Sequence, residues 1–264
     1  MPAIVELRLH PSRPFDPTTR QLHGLACALF EGAYSPDHTG HDKQFTVWPL
    51  SPAGGGWLLR AAWLADGLPQ TVLAACGQLR LGPVTCTVTD LALRPATHDD
   101  LASGPPADRV RAEFCSPVYF SQNGARVVLP DPRLIVGSWR RRWNASLPEG
   151  DDLMIGDEGW RGRPDPVTLT AFDLCTQARD TGHGRGQSGF TGTATLQLDK
   201  DASAAVRQQF GALARFAEFS GTGAQTTHGF GATRVAVLRE SVSARADAGG
   251  AGLAESPVGS GADG

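Results

Sequence analysis

Apolar and polar positions alternate through residues 3–11 around Ile4, Glu6, Leu7 and Arg8, which predicts a strand. The period then lengthens. Leu22, Leu25, Ala26, Leu29 and Phe30 recur at helical spacing, with Asp16 expected as cap and Pro17 at the first helical position. A polar loop from Tyr34 to Gln44 follows. Two strand-like runs, Phe45–Leu50 and Trp57–Trp63, are joined by the turn-rich Ser51-Pro52-Ala53-Gly54-Gly55-Gly56. Residues 68–77 read as a helix, and the β-branched set Val84, Thr85, Thr87, Val88 and Thr89 favours strand over 80–94. The order β-α-β-β-α-β is a ferredoxin-like pattern.

Asp99 to Asp108 is rich in Pro, Gly and Asp and is the expected boundary. Beyond it the order repeats. Val110–Phe120 is extended, and Val127-Val128-Leu129 precedes Asp131-Pro132, which opens a helix carrying Leu134, Ile135, Trp139 and Trp143. Residues 146–166 read as loop. Val167–Thr176 and Phe190–Leu198 alternate as strands, Asp201 and Ser203 start a helix with Val206, Phe210, Leu213 and Ala217 on one side, and Thr233–Leu238 closes the unit. The expectation is an α+β chain of two tandem ferredoxin-like (RRM-like) βαββαβ domains, 1–98 and 109–240. Residues 241–264 are Gly, Ala and Ser without periodicity and read as a disordered tail.

Charge and cysteine content narrow the class. A formal charge of -3 over 264 residues lacks the overall basic footprint of a nucleic-acid binder, so local charge has to carry any such function. Five cysteines without a C-x-x-C fit neither a disulfide framework nor a zinc site and suggest a reducing cytoplasm. No basic leader with an apolar core opens the chain and no apolar run approaches a membrane span, so a soluble intracellular protein is expected. The histidines and carboxylates form no metal-binding pattern, and no cofactor is expected.

The chemistry-bearing stretch is Gly221-Thr222-Gly223-Ala224-Gln225-Thr226-Thr227-His228-Gly229-Phe230-Gly231, placed between a helix and a strand. Glycines permit positive φ and close backbone approach, and successive exposed amides form a concavity suited to phosphate oxygens. No G-K-[ST] follows, so it is not a P-loop. The dinucleotide fingerprint has the opposite order, strand before helix. A second candidate is the run Arg140-Arg141-Arg142 between Trp139 and Trp143, with Arg126 and Arg133 upstream. The tryptophans share a helix face and the arginines spread around the others. These arginines are either a solvated face or a phosphate track.

Phe190-Thr191-Gly192-Thr193 through the glycine-rich stretch resembles the C-terminal domain of the CRISPR repeat-processing endoribonucleases, the Cas-six family of the repeat-associated RAMP superfamily. Phe114-Cys115-Ser116-Pro117-Val118-Tyr119-Phe120, Pro130-Asp131-Pro132-Arg133-Leu134 with Arg141-Arg142-Trp143-Asn144, and Lys43-Gln44-Phe45-Thr46-Val47-Trp48-Pro49-Leu50 resemble three further family segments, in the family's order. The chain departs from the family at Gln44 (a proline there), Trp48 (a serine) and Gln225 (often a basic residue).

The resemblance implies metal-independent cleavage of precursor CRISPR repeat RNA by its own 2′-hydroxyl, leaving a 2′,3′-cyclic phosphate and a 5′-hydroxyl. Such a reaction needs a base, an acid and positive charge beside the phosphorane, which suit histidine and lysine. The family's histidine ahead of the K-x-F-T lysine falls best on His38. His41 is the rival and His23 a further alternative, with Lys43 as the charge and Tyr34 as an orienting group. RNA contacts are expected from Gly221, Gly223, Thr226, Thr227, His228, Gly229, Gly231 and Arg140, Arg141 and Arg142, and a hairpin tip from His183-Gly184-Arg185-Gly186. Expected partners are repeat RNA, CRISPR effector subunits and no membrane, in a monomer or homodimer. Two other readings stay open. One is a non-catalytic guide-RNA-binding subunit of the same superfamily; the other is a nucleotide-binding enzyme, against which the missing P-loop lysine argues.

Overall fold

The computed structural model describes residues 1–32, 43–75, 77–160, 166–181 and 186–238. Tyr34, His38, His41, the tip 183–185 and the tail 241–264 lie outside the described residues.

The first unit runs β1 (Ala3–Pro11), α1 (Thr19–Phe30), β2 (Phe45–Val47), β3 (Ser51–Ala53), β4 (Gly56–Trp63), α2 (Gln70–Leu73), β5 (Gln78–Leu81) and β6 (Val84–Pro95). Its sheet order is β2-β4-β1-β6-β5, with β3 paired to β4. Read as β6-β1-β4-β2, this is the antiparallel ferredoxin-like order, extended by the β5 hairpin. After α3 (His98–Ser103) the second unit follows: β7 (Arg109–Val118), β8 (Phe120–Gln122), β9 (Ala125–Val127), α4 (Pro132–Ser146), β10 (Val167–Asp180), β11 (Gly186–Leu198), α5 (Ala204–Ser220), the 3-10 turn η1 (Thr226–His228) and β12 (Thr233–Leu238). Its sheet order, β10-β11-β7-β12, is the same arrangement. The two ferredoxin-like units of the sequence reading are therefore present.

Several local expectations change, each for a physical reason. The first helix is capped by Thr18 rather than Asp16, because Thr18 and Gln21 satisfy each other's backbone amides in a capping box. The stretch 68–77 holds only one helical turn, since Gln78 is already paired with Thr87 in β5. Ser51-Pro52-Ala53 is an edge strand against β4, so the turn shrinks to Gly54-Gly55 at positive φ. Across the start of the expected break at 99–108, a second capping box, Thr97 with Asp100, begins α3 and lets His98 and Leu101 bury. Asp131 and Ser203 cap α4 and α5 as expected.

Helix α1 covers one face of the first sheet with Leu22, Leu25, Ala26, Leu29 and Phe30. The other face carries Ile4, Ala62 and Leu64, which join the core that α4 and α5 make on the second sheet around Trp139, Trp143, Phe210 and Phe216. The second unit's helices thus complete the first unit's core, and polar bonds pin the seam. Thr46 Oγ1 donates to Phe219 O at 2.6 Å, and Arg60 pairs with Glu218 at 3.5 Å. Among the described residues no helix is long and apolar enough to cross a membrane.

Candidate nucleic-acid interface and active-site junction

The glycine-rich loop is shaped by close backbone packing. Gly221, Gly223, Gly229 and Gly231 all have φ between 64° and 83°. A Cβ on Gly231 would stand 2.0 Å from Thr222 O, and one on Gly223 2.4 Å from Tyr119 O. The amides of Gly221, Thr222, Ala224 and Gly231 donate to Ala217 O, Gly231 O, Tyr119 O and Pro117 O, and that of Gly223 to Ser138 Oγ. Five amides are committed inside the protein, so here the glycines serve the loop's own geometry. Trp139 Nε1 donates to Thr222 Oγ1 at 2.8 Å, anchoring the loop to α4.

Beyond that anchor the chain turns outward. Gln225 takes the left-handed conformation at φ 55, and η1 presents Thr227 and His228 to α1 of the first unit. There His23 and His228 stack with ring centroids 3.7 Å apart and planes 10° from parallel. His23 Nδ1 lies 2.8 Å from Thr227 O. A carbonyl only accepts, so Nδ1 carries a proton and, in the neutral ring, Nε2 is the acceptor. Cys27 Sγ stands 3.4 Å from Nε2. Burial, followed by Glu31, pushes the Cys27 thiol up to about 11, so it remains S–H and able to donate. His228 Nδ1 lies 3.0 Å from Thr227 Oγ1.

Lys43 sits at the same junction. Its Nζ donates to Glu31 Oε1 at 2.7 Å and Oε2 at 2.8 Å and lies 5.7 Å from the Phe45 ring centre. Glu31 and Lys43, which pair here, stand on either side of the segment that holds Tyr34, His38 and His41.

The three consecutive arginines of α4 divide. Arg142 turns inward and donates to Lys43 O, Phe45 O and Thr226 Oγ1, tying α4, β2 and η1 together. Arg140 is held by Asp157 at 2.6 Å and by Gly156 O. Arg141 is exposed, with no ion pair among the described residues. Arg140, Arg141, Arg133, Asn144, Gly223 and Ala224 line one groove of about 660 Å³, which brings the basic helix and the glycine-rich loop together.

The three departures from the family pattern have structural counterparts. Gln44 Nε2 donates to Ala145 O at 2.7 Å, a bond between the units that proline lacks the donor to make. Trp48 lies under the Arg60 guanidinium at 4.1 Å and near that of Arg234 at 5.4 Å. It thereby links β4 of the first sheet to β12 of the second by cation–π contact. Gln225 is the exposed left-handed residue that begins η1.

Sequence reasoning gave His23 only a marginal place. The helical period put it on α1 beside the buried stripe, but its partner is 205 positions away, and no local pattern encodes that pairing. Arg179 was missed entirely. It lies near the end of β10, half-buried, with Nη2 3.8 Å from a Cβ built on Gly229.

Comparison with known proteins agrees with this architecture. Residues 112–233 match the family model described as CRISPR-associated endoribonuclease Cas6. A curated CRISPR-associated endoribonuclease Cas6 of Mycobacterium tuberculosis is 31% identical over 206 residues, 76% of this chain. The match covers 57% of that relative, so this chain spans little more than half the length of the curated relatives it matches. A solved Cas6 product complex superposes with a TM-score of 0.75 at 25% identity, covering 89% of this chain and 99% of the other. Thermus thermophilus Cas6 gives 0.68 at 29% identity, covering 89% and 98%. With two ferredoxin-like units in tandem and a glycine-rich loop where they meet, the chain has the fold of solved Cas6 structures, and its residues 112–233 match the Cas6 family of CRISPR-associated endoribonucleases.

Proposed function

We propose that this protein cleaves CRISPR repeat RNA without a metal ion. The 2′-oxygen attacks the adjacent phosphorus, the P–O5′ bond breaks, and a 2′,3′-cyclic phosphate and a 5′-hydroxyl remain. The observation that carries the reading is the junction where α1, β2 and η1 meet. Glu31 and Lys43, on either side of the segment with His38 and His41, are paired there, and His23 of α1 stacks on His228 of η1.

In this reading His38 removes the 2′-hydroxyl proton, with His41 as the alternative, and a histidine returns a proton to the 5′-oxygen. Tyr34 orients the phosphate. Lys43 supplies charge only when Glu31 releases it. The groove bounded by Arg133, Arg140, Arg141, Gly223 and Ala224 tracks the RNA backbone toward the junction, with Thr227 and His228 as contacts at its end. The match of residues 112–233 to the Cas6 endoribonuclease family and the superposition on a Cas6 product complex support RNA as the substrate. CRISPR effector subunits are the proposed protein partners.

The test is cleavage of cognate repeat RNA in EDTA by wild type, His38→Ala and His41→Ala. Wild-type cleavage to a 2′,3′-cyclic end that disappears in His38→Ala supports the whole reading. Loss only in His41→Ala moves the proton step to that residue. Tight binding without any cut favours the RNA-holding subunit instead.

A further inference from the structure

Among the described residues Arg179 is a cation without an ion pair, set where the glycine-rich loop meets the first unit. It stands next to the last residue of β10, opposite Gln187 of β11. Its neighbour is clamped, since Thr19 Oγ1 of α1 donates to Asp180 O at 2.8 Å. The guanidinium reaches the glycine-rich loop at Gly229, the residue after His228, near Leu22 and Pro49 of the first unit. Among the described residues no carboxylate pairs with it, and its buried Nε has no acceptor. Burial alone draws its pKa below the ordinary arginine value. The other arginines set into the seam are engaged: Arg60 with Glu218 and Trp48, and Arg142 with three oxygens. Lys43 is neutralised by Glu31.

A half-buried guanidinium whose Nε has lost water and gained no acceptor costs stability. A ligand oxygen placed there recovers that cost, and a phosphate offers several. We propose that Arg179 binds the scissile phosphodiester of the RNA and stabilises the phosphorane, the role for which Lys43 is the obvious residue in sequence. The inference rests on the proposed cleavage reaction for its catalytic part and on geometry alone for its phosphate contact. Nη2 approaches from the second unit, beside Gly229, where the absence of a side chain leaves a phosphate access to it. His23 and the flanks of the His38 segment lie on the first-unit side and His228 on the second, so the phosphate would be held between the two units.

The experiment compares the full-length wild type with Arg179→Gln and Arg179→Lys in three measurements. These are single-turnover cleavage of repeat RNA, salt-dependent binding of repeat RNA carrying a 2′-deoxy residue at the cleavage position, and thermal unfolding without RNA. Arg179→Gln is expected to cut at least about tenfold more slowly and to flatten the logarithmic salt slope by roughly one unit. Its unfolding temperature is expected to stay level or rise, because an unmatched charge has been removed. Arg179→Lys restores the slope and recovers only part of the rate, since a point charge lacks the planar fork. Cleavage within twofold of wild type together with an unchanged slope in Arg179→Gln overturns the inference. So does a loss of function accompanied by a drop of several degrees, which assigns Arg179 a structural role. If wild type binds but does not cut, the cleavage reading fails by itself. The slope of Arg179→Gln then still decides the phosphate contact, flattened in its favour and unchanged against it.

Discussion

His23 on the first helix and His228 in the glycine-rich loop face each other in parallel 3.7 Å apart, joining the two units of the chain ring to ring. The contact is reinforced by the bond from His23 Nδ1 to Thr227 O, so one side chain both stacks on η1 and holds its backbone. Replacing His23 by Ala removes both. The expected loss is about 1–2 kcal/mol in urea unfolding. RNA cleavage should fall as well, because η1 is no longer held against α1. Wild-type stability in His23→Ala would remove the junction from the argument.

Arginines 141 and 142 are adjacent in sequence and should separate in experiment. Arg142→Ala leaves Lys43 O, Phe45 O and Thr226 Oγ1 without their donor and is expected to cost about 2–4 kcal/mol. Arg141→Ala removes an exposed side chain from the groove and should change stability by less than about 0.5 kcal/mol. It should instead weaken repeat RNA binding and flatten its salt dependence. Thermal unfolding beside gel-shift titrations of both variants measures the split.

Glycine substitutions should have opposite signs at two positions. Gly231 has φ 68 and faces Thr222 O, so Gly231→Ala is expected to destabilise by more than about 2 kcal/mol. Gly24 lies on the exposed side of α1 with nothing near a new Cβ, and Gly24→Ala should stabilise by about 0.5–1 kcal/mol. Denaturant midpoints of the two variants give the comparison directly.

Acid sensitivity should originate at His98. Its ring is buried, edge-on to Trp143 at 5.0 Å, with Nε2 2.9 Å from Ser146 Oγ. Desolvation draws its pKa below the ordinary histidine value, only partly offset by Asp66. The unfolded chain therefore takes up a proton near pH 6.5 that the folded protein resists. Stability is fully present above that pH and is lost as the pH falls below it, at no more than about 1.4 kcal/mol per unit for one group. Urea unfolding between pH 7.5 and 5 should show this slope in wild type and a shallower one in His98→Gln.

The order of elements, both βαββαβ units and the family were legible in the chain because they are local. Period-2 and period-3.6 patterns depend on neighbours a few residues away, and the motifs that carried the resemblance are contiguous segments. Helix starts were legible where one residue decided them, as at Asp131 and Ser203. The start failed at Asp16, where the reciprocal bonds of Thr18 and Gln21 compete better. The site divides along the same line. A glycine-rich loop and an arginine cluster can be seen in a string, but which arginine faces solvent and which is spent on three oxygens depends on how α4 sits against β2 and η1. Likewise Lys43 reads as a free catalytic charge until Glu31, twelve residues earlier, is found within 2.7 Å. His23 with His228, Trp48 between Arg60 and Arg234, and Arg179 beside Gly229 are relationships between the two units. The sequence by itself determined what each unit is. Only the tertiary structure decided which charges are matched, because matching depends on distances across a seam that no spacing along the chain records.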